Sequence, residues 1–375
     1  MASYRKHSTG WEYRIKYTDP YTAQPKEKSQ RGFKTKKEAE LAAAEFTRQL
    51  SNREVETEYT LEEYLNIWLD EYKDETVKKS TMRQHRQNVK LHILPYFKKL
   101  KLSALRPIEY QKFINHLYDQ NYSDRTIRIV HSTMSNAIKK ALALELIRRD
   151  VTIGITLKRN RKQTKVQFME TRHISRFLTC AREYDYIYWI FFKVLIETGM
   201  RKGEAAALRW QDIDLKAKKI SVKHTLDFHA DDDELFTTPK TENSTRTISI
   251  SQSLANDLSF HLKWQNENKI ALKTLYRHDI NLVLCRNNGD VMPRSSLFNA
   301  FERILKRAEI AKMPIHALRH TAAVLMLEAG ADMKYVQEKL GHGSIRVTSD
   351  IYSHISDKLE KDNKDKVENY LKDLL

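Results

Sequence analysis

Between Trp11 and Tyr17 the chain alternates: Trp11, Tyr13, Ile15 and Tyr17 are separated by Glu12, Arg14 and Lys16. A two-residue period of this kind predicts a strand with one face buried and the other in water. In "GFKTKKEAELAAAEFTRQL" the period lengthens. Thr35 is placed to cap a helix, and Ala39, Ala42, Ala43 and Phe46 fall on one of its faces. Residues 1–55 are therefore expected to form a small sheet with one helix packed on it. Its charged, aromatic-bearing outer face suits either a nucleic-acid surface or a plain solvated sheet.

From Tyr59 to about Thr156 the pattern is helical throughout. "TLEEYLNIWLDEY" sets Leu61, Tyr64, Leu65, Trp68 and Leu69 on one stripe. "STMRQHRQNVKLHILPYF" is expected to start at Ser80 and to stop before Pro95. "RPIEYQKFINHLYDQ" and "SDRTIRIVHSTMSNAIKKALALELI" give two more helices, and Arg83, Arg86, Lys90, Arg125, Arg128, Lys139 and Lys140 put cations on the module's faces. Residues 157–168, "LKRNRKQTKVQF", read as a basic linker. Beyond it, "YDYIYWIFFKVLIETG" is apolar on nearly all sides, which predicts a buried helix ended by Gly199. "KKISVKHTL" and "TRTISIS" alternate like the strands of a hairpin around a loop at 226–244. Helices resume near "SLANDLSFHLKWQ", which makes this part α+β, and the tail "DKLEKDNKDKVENYLKDLL" is amphipathic.

Charge narrows the choice of partner. The 375 residues carry a formal charge of +17, which points to a polyanion and most directly to nucleic acid. Residues 1–165 hold 34 Lys and Arg against 20 Asp and Glu, whereas residues 166–375 hold 32 against 29. The front part reads as a DNA grip and the back part as the body that houses chemistry. No apolar run approaches the roughly 20 residues that span a bilayer, and the first thirty residues lack the apolar stretch of a signal peptide. Cys180 and Cys285 are too few for a disulfide framework. The expectation is a cytoplasmic, DNA-associated protein with no membrane partner.

Candidate chemistry gathers at a few positions. Arg201 lies in a turn just after the buried helix, and Lys240 stands in a loop before a strand. His316 and Arg319, three apart in "PIHALRHTAAVLMLEAG", share one face at the start of an apolar helix, a good place to hold an anion. Asp332 can cap the next helix, Gly341 stops it, and "LGHGSIRVTSDIYSH" then displays His342 and Tyr352 on short connected elements. Jointly these groups are the parts of a metal-free phosphoryl transfer. Cations hold the non-bridging oxygens, an acid–base group serves the nucleophile, and a proton donor serves the leaving oxygen. Tyr352 is the nucleophile in this reading. Two rivals stand beside it: a non-catalytic helix-turn-helix regulator built around the turn at Gly341, and a metal-dependent nuclease or transposase using "DDDE" at 231–234. His316 and His320 at i and i+4 lack the following Glu and further ligands of a zinc site, so no metal or cofactor is assigned.

"ETGMRKGEAAAL", "TPKTENSTRTI", "HALRH" and "LGHGSIRVTSDIYSH", in this order and at these spacings, resemble the tyrosine recombinase (phage integrase) family. The small N-terminal domain resembles the arm-site domain of integrases from temperate phages and conjugative transposons of Gram-positive bacteria. The resemblance implies a multidomain fold. Residues 1–55 would be a small α+β arm-type DNA-binding domain, 59–156 an all-α helical core-site-binding domain, 169–356 a mainly-α (α+β) catalytic domain, and 357–375 a tail helix. It also implies roles. Arg201 and Arg319 would clamp the scissile phosphate, Lys240 would protonate the departing 5′ oxygen, His316 would assist Tyr352, and His342 would hydrogen-bond the phosphate. Glu204 would orient the cluster. The implied partners are double-stranded DNA attachment sites in a bacterial host cell and three further copies in a tetramer, with excisionase and a host DNA-bending protein as candidate accessories. The tail would dock on a neighbouring subunit or fold back on its own domain.

Overall fold

The computed structural model describes residues 2–18, 24–51, 59–74, 76–158, 166–230, 235–237, 245–341, 349 and 371–372. The chain divides into two compact units, Met1–Arg161 and Lys162–Leu375.

The first unit opens with an antiparallel sheet of order β1-β2-β3, formed by Ala2–His7, Gly10–Thr18 and Pro25–Phe33. The alternation in β2 does what its period demands. Tyr13 and Ile15 are buried and Trp11 and Tyr17 half-buried, while Arg14 and Lys16 face water. Helix α1, Lys36–Ser51, packs Ala43, with Ala42 and Phe46 beside it, on Tyr13 and Ile15. Thr35 Oγ1 accepts from Glu38 N at 3.2 Å, the expected cap.

The helical part of this unit starts at α2, Leu61–Ile67, behind a reciprocal cap. Glu63 N donates to Thr60 Oγ1 at 3.2 Å and Thr60 N to Glu63 Oε2 at 2.8 Å. A π-helical turn, Trp68–Lys73, continues it. The next helix departs from expectation at both ends. Its cap position is Lys78 rather than Ser80, and it runs past Pro95 as α3 (Lys79–Asn88), a π segment (Val89–Ile93) and α4 (Leu94–Phe97). Pro95 sits in the first turn of α4, directly after the π segment, and a first-turn position is one where a missing N–H is tolerated. Helices α5 (Pro107–Asp119) and α6 (Asp124–Ala143) complete the module, the latter capped by Ser123. Tyr64, Trp68, Tyr110, Phe113, Val130 and Met134 are its core, and Tyr64 Oη donates to Ala137 O at 2.5 Å. Arg125 and Arg128 are exposed. Lys140, expected on a solvent face, instead lays its ammonium over the Tyr72 ring at 4.3 Å.

The second unit is built on α7 (Thr171–Tyr184) and α8 (Tyr186–Thr198), with Phe177 and Phe192 packed against Phe301. Helix α9, Lys202–Ala206, follows after a three-residue turn. The expected hairpin is present and larger. Strands β4 (Ile213–Asp214), β5 (Lys219–Val222) and β8 (Arg246–Ser249) form one sheet of order β4-β5-β8, and β6 (Thr225–Leu226) pairs with β7 (Phe236–Thr237). Helices α10 (Gln252–Leu272), α11 (Arg294–Arg307), α12 (Ala317–Glu328) and α13 (Met333–Leu340) follow. "LKRNRKQTKVQF" is not polar to its ends, because Leu157 packs on the helical core of the first unit and Val166 and Phe168 pack on the α12–α13 cluster of the second. No helix among the described residues is long and apolar enough to cross a membrane.

Candidate active site

Two glycines shape the site. Gly199 ends α8 at φ 64°, and a Cβ there would lie 2.2 Å from Leu340 Cδ2, so the turn after α8 presses against the end of α13. Gly341 ends α13 at φ 68°, with Asp332 capping the other end as expected. The helix therefore stops beside the turn that carries Arg201.

Helix ends leave their last carbonyls without intrahelical donors. Here three consecutive carbonyls receive guanidinium groups from three separate elements. Arg246 Nε, on β8, donates to Lys339 O at 2.8 Å. Arg319 Nη2, on α12, donates to Leu340 O at 2.5 Å, and Arg201 Nη2, at the cap of α9, to Gly341 O at 3.3 Å. Arg319 Nη1 also reaches Gly199 O at 2.8 Å. Positive charge at a helix C-terminus is favourable in itself. Because these charges come from residues far apart in sequence, the site exists only once the unit has folded.

Glu204 is the one carboxylate among them in the described residues, and it is 3% exposed. Its Oε1 accepts from Arg201 Nη1 at 2.8 Å, and its Oε2 accepts from Arg201 N at 3.0 Å and Arg246 Nη2 at 2.9 Å. Burial alone would raise its pKa. The Arg246 hydrogen bond and charge, followed by the bonds from Arg201, outweigh burial and hold the carboxyl below the usual carboxylate range. Gly203 lets α9 lie close on β6, since a Cβ there would meet Thr225 Oγ1 at 2.5 Å.

Arg319 is 2% exposed and Arg201 keeps 38% of its side chain exposed, so one is embedded and the other faces outward. His316 stands at the N-cap position of α12, on an exposed edge and without a side-chain cap bond. Its ring is nevertheless crowded, 5.1 Å from the His320 ring. Burial first, then the charges of His320, Arg319 and Arg201, push the imidazole down to about 4, so it is neutral at pH 7. His320 turns away, its Nδ1 3.1 Å from Gln167 O. With three guanidinium groups facing one carboxylate and a neutral imidazole alongside, the cluster carries excess positive charge. It is suited to hold an anion and offers an acid–base group beside it.

Of the six residues expected to share a site, Arg201 and Arg319 meet on adjacent carbonyls of α13's end, and His316 lies within electrostatic reach of both. Lys240, His342 and Tyr352 lie outside the described residues, as do "DDDE" and nearly all of the tail. Arg246 was not anticipated. The signal for it was present in "TRTISIS", where Arg246 shares its strand face with Ile248 and Ile250, and a cation at an inward strand position needs a buried partner.

Comparison with known proteins follows the same outline. The phage integrase family matches residues 167–358, its N-terminal SAM-like domain residues 60–118, and an arm DNA-binding domain residues 2–50. A tyrosine recombinase XerC-like protein of Caldanaerobacter subterraneus subsp. tengcongensis is 28% identical over 344 residues, covering 86% of each chain. The ICEBs1 integrase of Bacillus subtilis is 27% identical over 282 residues, covering 75% of each. Among solved structures, the Tn1549 transposon integrase in complex with circular intermediate DNA superimposes with a TM-score of 0.64 at 17% identity, over 80% of this chain and 98% of that one. A lambda integrase dimer bound to a core site superimposes with a TM-score of 0.59 at 16% identity, over 93% of each. The chain belongs to the phage integrase family of tyrosine recombinases, enzymes of site-specific DNA recombination.

Proposed function

We propose that Arg201, Lys240, His316, Arg319, His342 and Tyr352 form one site that integrates and excises a mobile element at double-stranded DNA attachment sites. The observation that carries this reading is the meeting of Arg201 and Arg319 on the carbonyls of Gly341 and Leu340, immediately before His342 in the chain. In this reading the two arginines clamp the scissile phosphate and His342 hydrogen-bonds it. Tyr352 Oη attacks phosphorus with the help of neutral His316. The P–O5′ bond breaks, a 3′-phosphotyrosyl bond forms, and Lys240 gives its proton to the departing 5′ oxygen. A 5′ hydroxyl from the partner strand then reverses the attack. The bond energy is retained in the covalent intermediate, so the exchange needs no net hydrolysis.

Residues 1–55 are assigned to arm-type sites, 59–156 to core sites and 169–356 to chemistry, with 357–375 as a tail that docks on a neighbouring copy or folds back on its own domain. Solved relatives include a lambda integrase dimer bound to a core site and a lambda integrase tetramer bound to a Holliday junction. A homotetramer on DNA is the corresponding assembly here, with excisionase and a host DNA-bending protein as accessories.

The test is a nicked suicide substrate carrying the core site. Tyr352→Phe removes only a hydroxyl, so DNA binding persists and the covalent adduct disappears. Adduct formation by that variant at wild-type yield would place the nucleophile elsewhere.

A further inference from the structure

We propose that Arg246 is a positioning residue for recombination, setting the Arg201 guanidinium through Glu204 and the start of the His342 segment through the Lys339 carbonyl. The proposal rests on Arg201 being a phosphate-binding group. Among the described residues the guanidinium of Arg246 reaches Glu204 and the Lys339 carbonyl, and only 7% of its side chain is accessible.

The physical case begins with what Arg246 does not supply. It stands on the inward face of β8, on the same side as Ile248, which is fully buried. A buried ion pair at such a place is often no more stabilising than apolar side chains of similar volume, because both ions lose their water. Sheet packing alone would be served as well by an aliphatic residue. A guanidinium can do one thing an aliphatic chain cannot, which is to join two polar groups on different elements. Nη2 holds Glu204 Oε2 at 2.9 Å and Nε holds Lys339 O at 2.8 Å.

Each of those links leads to a reacting group. Glu204 holds Arg201 at both its guanidinium and its backbone N–H, so a tilt of the carboxylate moves the guanidinium with it. Without Arg246, Glu204 would lose one of the two cations that balance its burial, and its remaining bonds would reorient. Lys339 O is the first of the three clamped carbonyls, and the chain proceeds from Gly341 directly into His342 and on to Tyr352. Arg246 also lies six residues after Lys240 in the chain. One side chain thus ties β8, the strand that follows the proposed acid in the chain, to the arginine of the proposed clamp and to the helix end that precedes the nucleophile in sequence. Misplacement by about 1 Å of groups that act in a transition state costs roughly 100-fold in rate.

A neutral phosphate analogue separates positioning from mere bracing. Replacing a non-bridging oxygen of the scissile phosphate by methyl removes the charge that Arg201 would neutralise. Arg201→Ala then loses much more on the ordinary phosphodiester than on the methylphosphonate. Single-turnover adduct formation on both suicide substrates is compared for wild type, Arg201→Ala, Arg246→Ala and Arg246→Lys. Arg246→Ala is expected to slow phosphodiester cleavage roughly 100-fold and to lower the phosphodiester-to-methylphosphonate rate ratio in the same direction as Arg201→Ala. Arg246→Lys, which cannot bridge both partners as a fork does, should fall between it and wild type. Equal slowing on both substrates would make Arg246 a brace and overturn the proposal, as would cleavage at the wild-type rate. If the alanine variant melts below the assay temperature, the lysine variant gives the same comparison at smaller amplitude. Wild-type and Tyr352→Phe reactions in parallel report on the site assignment itself: an adduct absent from wild type overturns that assignment and this proposal together, whereas an unchanged ratio with normal wild-type adduct overturns this proposal alone.

Discussion

Glu12 in the N-terminal sheet and Glu204 in the second unit are both buried carboxylates, 2% and 3% exposed, and both are held by arginines. Glu12 bonds His7 Nε2 at 2.8 Å and Arg31 Nε at 2.9 Å, with Arg14 Nη2 at 3.8 Å. Its partners come from its own strand and the two beside it, and Arg31 and Arg14 are 63% and 47% exposed. Its network therefore ends at the surface of one sheet. Glu204 draws on a helix cap and a distant strand, and both of its arginines go on to grip the end of a third element. Burial and pairing alone do not mark a site. What distinguishes Glu204 is that its partners' remaining donors converge on chain about to become His342.

Arg319→Ala should break the comparison most severely. It removes a charge proposed to stabilise the transition state, worth roughly 100- to 1,000-fold in cleavage. It also leaves the Gly199 and Leu340 carbonyls without their donors, costing about 3 kcal/mol of folding stability. Single-turnover adduct formation and urea unfolding read the two effects. Wild-type stability in this variant would show that the buried bonds hold nothing. Glu204→Gln comes next, with cleavage reduced roughly 100-fold by misplacement of Arg201. Glu12→Gln should cleave a short core site at the wild-type rate, and slow cleavage by it would erase the distinction between the two carboxylates.

Much of this was legible before folding, for reasons that can be stated residue by residue. Tyr13 and Ile15 announce their strand, Gly199 and Gly341 announce their helix ends, and Asp332 announces a cap, because each signal is local. Pro95 misled because the π segment that precedes it leaves no mark in a helical period. Glu12 lies on the polar side of its strand and is covered only by neighbouring side chains, which alternation cannot reveal. Arg201 and Arg319 stood out by their places at a turn and at a helix start, and family resemblance gave them a shared role. The three-carbonyl clamp was not legible, since it is long-range: Arg246 and Lys339 are 93 positions apart.

Acid should affect both carboxylates with the same sign. The hydrogen bond from Arg31, then that from His7, hold Glu12 at about 2 against an ordinary 4.5. Glu204 also lies below its ordinary value. A lowered folded pKa contributes stability that is complete above the unfolded value and is lost as pH falls toward the folded one. Between about pH 4.5 and 2, amide exchange in β1–β3 should therefore accelerate beyond the intrinsic pH dependence, and Glu12→Gln should remove most of that acceleration. A sheet whose protection ignores pH in both proteins would mean that the Glu12 network is not formed in solution.

The smallest expected effect concerns His316, which belongs to neither carboxylate but senses the charge around Glu204. In the free protein its imidazole sits at about 4, lowered first by burial and then by His320, Arg319 and Arg201. Protonation there is complete only below that value, so the DNA-free protein should show no titration from His316 near its ordinary 6.5. A bound phosphate brings negative charge against the same arginines, and an opposite charge nearby raises the pKa of a base. The pH dependence of kcat/KM reports the free protein and that of kcat reports the DNA complex. The acid limb assigned to His316 should thus lie at higher pH in kcat than in kcat/KM. His316→Asn should lower the rate and abolish that separation. If the separation persists in the variant, the titrating group is another one, and His316 serves the site by shape alone.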